Sequence, residues 1–174
     1  MKRIAAFFAL LALATGANPT PVLRSLQGEM RTASIDIGAP LRVVWSRLTD
    51  IDALARVRGF ECGESPGKPE RAGDGVQVLF RNTVGTLMVL TLVPADELRL
   101  AWEPDDGGAM SHERWVLEPS GSGTRVTFEE RLAVSAPRDG RLRPEAARTR
   151  MERDAAFSES LTILKVLCET RRPS

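Results

Sequence analysis

Glu113 and Glu130 are the side chains whose placement could support proton transfer, and one hairpin sets that placement. The segments Glu113 to Pro119 and Thr124 to Glu130 flank a loop of Ser120, Gly121, Ser122 and Gly123. With Pro119 opposite Thr124, one face pairs Glu118 with Arg125, Val116 with Thr127 and Arg114 with Glu129. The other face pairs Leu117 with Val126 and Trp115 with Phe128. Ion pairs outside and apolar pairs inside characterise a half-buried hairpin, and a one-residue slip would destroy both patterns. In that register Glu113 faces Glu130 on the apolar side. Buried together, such a pair would share a proton and yield a general acid and a general base. At the rim of a cavity both would sit in water, the ordinary place for a carboxylate and the placement expected here.

Few other residues offer chemistry. His112 falls opposite Arg131 on the outer face and reads as a surface residue. As the only histidine, it leaves a Ser-His-Asp triad improbable and effectively excludes a His-rich metal centre. Arg81, Arg99 and Arg114 read as solvated outer-face residues, and Asp50 and Asp52 as helix caps. Gly121 and Gly123 lack the strand-to-helix setting of a phosphate cradle. No metal site and no cofactor are expected. Cys62 and Cys168 could form a disulfide closing a loop of about 105 residues, worth about 4 to 5 kcal/mol in the chain-entropy model. Equally, they could be two buried thiols.

Composition bounds the partners. Met1, Lys2 and Arg3 precede the apolar run Ile4 to Ala14, so residues 1–17 read as a secretory signal peptide. The run spans about half of the roughly 30 Å hydrocarbon core, too short for a stable membrane span. The mature chain is therefore expected to be periplasmic or secreted. Losing Lys2 and Arg3 turns the formal charge of +1 into about −1. With Arg and Glu interleaved throughout, no basic face is left for nucleic acid.

The elements that must position these residues follow in order. Residues 18–30 read as a leader, and 31–170 as one domain. Ala33 to Ile37 alternates as a first strand. Pro40 suits a first helical turn, followed by an apolar stripe of Leu41, Val44, Trp45 and Leu48. Thr49 and Asp50 can cap a second short helix, with Asp52 completing a partial capping box. That helix ends near Val57 and Gly59. Phe60 to Val134 is then almost all strand, broken by turn signals without intervening helices, which argues for an antiparallel meander. Pro144 to Thr170 reads as a long helix, with a stripe of Ala147, Met151, Ala155, Phe157, Leu161, Leu164 and Cys168.

The order strand, two short helices, meander and long terminal helix resembles the SRPBCC superfamily: START-like domains and the polyketide cyclase/dehydrase and lipid transport family. The segment from Ala39 to Asp50 is similar to that family's first helix, and the segment from Gly123 to Glu130 to its last strand. The resemblance implies an α+β helix-grip fold, in which a curved antiparallel sheet of about seven strands wraps a long C-terminal helix around an apolar cavity. Inward candidates to line it are Val78, Phe80, Leu100, Trp102, Trp115, Leu117, Val126 and Phe128 from the sheet. The helix would add Met151, Phe157, Leu161 and Leu164. The expected partner is a hydrophobic small molecule or lipid. A cyclase or dehydratase using Glu113 and Glu130 is the alternative, and a structural or partner-binding module with a filled core is a third. Oligomeric state is not legible.

Overall fold

Proline, an aspartate cap and a glycine divide the N-terminal third into its elements. Strand β1 (Met30–Ile37) alternates in exposure along its length. Pro40 occupies the N-cap of α1 (Leu41–Leu48), one position earlier than expected, and its carbonyl accepts from the N–H groups of Val43 and Val44. Asp50 caps α2 (Ile51–Arg58) by accepting from the N–H groups of Asp52 and Ala53. Thr49 takes no part in that cap. It closes α1 instead, its hydroxyl donating to the Trp45 carbonyl at 3.0 Å. Gly59 ends α2 with φ of 71°, a left-handed conformation that glycine adopts without penalty. The computed structural model describes residues 30–62, 69–80, 82–105, 109–134 and 144–170, with the backbone alone at 109, 133–134 and 144–154. The expected signal segment, and the leader up to residue 29, lie outside the described residues.

The meander comprises β2 (Glu61–Cys62), β3 (Gly75–Phe80), β4 (Thr83–Val93), β5 (Glu97–Pro104), β6 (Ala109–Ser120) and β7 (Gly123–Val134). Together with β1 they form one seven-stranded sheet in the order β1-β7-β6-β5-β4-β3-β2, and every neighbouring pair is antiparallel. The β6/β7 hairpin has the register read from its side chains, from Pro119 opposite Thr124 to Glu113 opposite Glu130. A bulge shifts the β4/β5 register between Val89 and Thr91. The extra residue lets Leu87 and Val89 face the core before the bulge and Leu92 after it.

The long helix α3 (Pro144–Glu169) packs on β1, β6, β7, α1 and α2, which completes the helix-grip arrangement. Leu161 and Leu164 are buried and Phe157 and Cys168 half-buried, as the stripe requires, but Ala155 is exposed. Ser160 takes an inward place on that face instead. Ala147 and Met151 lie outside the described side chains. At its far end α3 is clasped to β1: Glu169 accepts from the Gly38 N–H at 2.6 Å, and the Lys165 ammonium donates to the Asp36 carbonyl at 2.7 Å.

Candidate functional site: a buried ion cluster in the palm

Arg58 is carried inward by the helix it ends. It stands seven residues after Ile51 and four after Leu54, on the face those buried side chains form. Its side chain is fully buried. The Nε group donates to both carboxylate oxygens of Glu113, at 3.1 Å each. Nη2 bridges the two carboxylates, lying 3.0 Å from Glu113 Oε1 and 2.6 Å from Glu130 Oε1. Nη1 donates to Ser160 Oγ on α3 at 2.6 Å. The second oxygen of Glu130 is bound by Arg31, its direct partner in the β1/β7 register. Arg31 is the outermost of the four charged residues, with 19 % of its side chain exposed.

Aromatic rings complete the surroundings. The Arg58 guanidinium lies over the Phe128 ring at 4.7 Å, and that of Arg31 over Phe157 at the same distance. Phe128 stacks on Trp115 at 3.9 Å between centroids and on Phe157 at 4.9 Å. A second aromatic group, Phe60, Phe80 and Trp102, fills the interior below α2 with centroids 5.5 to 6.3 Å apart.

The expectation that Glu113 and Glu130 sit in water is overturned, because Glu113 is 2 % exposed and Glu130 0 %. Burying two opposed carboxylates is tolerable here because an arginine reaches them from α2, so they share Arg58 where a bare pair would share a proton. Burial works against the Arg58 charge, but the two carboxylates and their hydrogen bonds more than offset it and hold the guanidinium above its ordinary pKa. Among the described residues the cluster sets two arginines against two glutamates.

Of the residues expected to line the palm, Val78, Phe80, Leu100, Trp102, Trp115, Leu117, Val126 and Phe128 are all buried in one hydrophobic cluster with Leu161 and Leu164. Phe157 packs against it partly buried. Sequence reasoning missed Arg58, Arg31 and Ser160. Arg58 did carry a signal, since it falls on an apolar helical stripe, and Arg31 immediately precedes the expected first strand.

Two outer features also differ from expectation. Arg125 pairs with Asp36 at 3.0 Å instead of with Glu118, because β1 places Asp36 directly opposite it. The Arg114–Glu129 pair does form, at 3.2 Å, and Arg114 also binds Glu97. His112 is half-buried, and burial, helped by the Arg131 charge, lowers its pKa. The open question of the cysteines resolves against a bridge: Cys62 and Cys168 are free thiols. Cys62 lies on β2 at one edge of the sheet, whereas Cys168 precedes Glu169, which is clasped to β1 at the opposite edge. Burial raises the pKa of both, that of Cys168 to about 11. Among the described residues no group of three or more acidic, His or Cys side chains could hold a metal ion, and no helix is long and apolar enough to cross a membrane.

Solved structures share this architecture at low sequence identity. Protein CV1439 from Chromobacterium violaceum is 21 % identical, with a TM-score of 0.58 over 82 % of this chain and 98 % of its own. DynU16, a putative protein in the dynemicin biosynthetic locus, is 20 % identical with a TM-score of 0.57 over 83 % of this chain, which spans about half (48 %) of its length. CalU16 from Micromonospora echinospora is 18 % identical with a TM-score of 0.56, over 84 % of this chain and 69 % of its own. No curated protein matches the chain. The sequence profile of the family described as "Polyketide cyclase / dehydrase and lipid transport" matches residues 31–169, the span of the sheet and its helices. With its seven-stranded antiparallel sheet and terminal helix, the chain thus belongs to the polyketide cyclase/dehydrase and lipid transport family of the SRPBCC superfamily.

Proposed function

We propose that this chain is an exported carrier that takes an apolar small molecule or lipid between the sheet and α3, with the Arg58 cluster forming the polar end of its site. The observation that carries the proposal is the burial of Arg58, Glu113 and Glu130 in a largely apolar interior. Buried ion pairs contribute little net stability compared with apolar side chains of similar volume. A charged cluster in such a place is therefore a functional-site candidate, and small-molecule sites typically combine apolar walls with a few convergent polar groups. The family's lipid transport members support the ligand class, and the apolar run from Ile4 to Ala14 supports export. Burying about 200 Å² of apolar ligand would contribute about 5 kcal/mol before association costs, enough for modest affinity.

Solvent extraction of the purified protein followed by mass spectrometry tests the proposal. A carrier retains a stoichiometric apolar compound, or takes up an added one such as 1-aminoanthracene. A protein that retains nothing and takes up nothing has a core filled by its own side chains, and the proposal fails.

A cyclase or dehydratase is the second reading, favoured by the direct opposition of two buried carboxylates, Glu113 and Glu130. Against it, both are already held by guanidinium groups, so proton transfer would have to break those pairs. Replacing both with Gln would abolish turnover and spare ligand uptake in such an enzyme; unchanged turnover removes it from consideration.

A further inference from the structure

Trp115 carries a polar atom in the palm that the described residues leave unserved. Its side chain is fully buried, and its indole Nε1 has no hydrogen-bond partner among the described residues. A buried indole N–H ordinarily finds one. The reasons it does not lie in its neighbours. Across the sheet Trp115 faces Leu98 on one side and Phe128 on the other, neither with a side-chain acceptor. Phe128 stacks on it with 13° between the ring planes. The N–H lies in the plane of the indole, so a parallel ring cannot accept it on its face. Glu113, two residues away on the same face of β6, turns both of its oxygens towards Arg58.

We infer that the Trp115 indole N–H is the donor to the ligand, and that the ligand is an apolar molecule carrying a neutral acceptor oxygen such as a ketone or ester carbonyl. The inference rests on the proposal that the palm takes an apolar molecule, and adds which atom recognises it. Neutrality follows from the donor and its neighbour: an indole N–H offers a carboxylate no counter-charge, and Glu113, two residues away on the same face, already brings a negative charge that engages Arg58. Filling a vacant donor site gives the carbonyl ligand an advantage that a hydrocarbon of the same shape cannot have.

The test uses the full chain with two probes of nearly the same shape, 2-acetylnaphthalene and 2-isopropenylnaphthalene, followed by calorimetry and by proton-nitrogen correlation spectra of the indole groups. The ketone should bind about tenfold more tightly than the hydrocarbon, and only the ketone should move the Trp115 indole resonance downfield. Trp115→Phe retains a ring to stack on Phe128 but has no N–H, so the ratio of ketone to hydrocarbon affinity should fall towards one. Equal affinities in the unmodified protein, or a Trp115 resonance indifferent to the ketone, overturn the inference while leaving apolar binding intact. Failure of both probes to bind overturns that underlying proposal and the inference with it. Should Trp115→Phe not fold, the spectrum of the unmodified protein decides alone.

Discussion

Arg58 and Glu113 meet inside the protein through both Nε and Nη2 of the guanidinium, each N–H within 3.1 Å of a carboxylate oxygen and neither side chain in contact with water. Taking three charged side chains out of water makes this pair, with Glu130, a costly polar feature of the interior.

Removing the cation alone should be severe. Arg58→Met leaves two opposed carboxylates buried without their shared partner, and about 3 to 5 kcal/mol of stability should be lost in denaturant titrations near pH 7. Arg58→Met combined with Glu113→Met and Glu130→Leu should recover most of the loss. A triple variant no more stable than the single one would show that burial of unpaired charge is not the cause.

The two cysteines should react slowly in the folded protein. With the Cys168 thiol pushed from 9.0 to about 11, the thiolate at neutral pH is about a hundredfold scarcer than in the unfolded chain. Mass spectrometry after timed alkylation should therefore show Cys168 modified far more slowly in buffer than in denaturant. Similar rates in the two would contradict this.

Asp36 should titrate below the ordinary aspartate value of about 3.9. Hydrogen bonds from Arg125 and then Ser120 hold its carboxyl there. A depressed group stabilises the fold above its unfolded pKa, and that contribution is lost as pH falls through the folded value, here in the acid range below about 4. Arg125→Ala should return the midpoint, followed by carboxyl carbon resonances, towards the ordinary value.

Two glycines of one hairpin should respond differently to alanine. A Cβ at Gly123 would lie 2.2 Å from the Ile37 carbonyl oxygen, a backbone atom held in the β1/β7 ladder. Gly123→Ala should cost at least the roughly 1 to 3 kcal/mol of overpacking and loosen β1. Gly121 has φ of 58° with open space around its Cβ position, so Gly121→Ala should cost only the left-handed strain of roughly 1 to 2 kcal/mol. Thermal denaturation of the two variants compares them directly.

The β6/β7 register was legible because neighbouring side chains encode it: Arg114 against Glu129 outside, Trp115 against Phe128 inside. The antiparallel meander and terminal helix were legible for a related reason, since turn residues and apolar periodicity are local. Arg58 was not, although its position on the Ile51 and Leu54 face was visible, because an arginine in the last turn of a short helix has an ordinary explanation in the helix dipole. Its role depends on Glu113, 55 residues away, and Ser160, 102 away, and no local pattern reports such separations. The Arg125–Asp36 pair was missed likewise, because β1 was not placed beside β7.

Those separations bear on how the protein is made. Arg31 and Glu130 are 99 residues apart, so the cluster cannot close until the first strand, the second helix, the hairpin and the last helix have all arrived. Loop-closure entropy places such contacts late in folding, when most apolar surface is already covered. Interactions absent from the transition state govern how fast a native protein comes apart more than how fast it assembles. The four charges should thus act as a kinetic latch, hydrated on every route into the fold and stripped of water only as the final step.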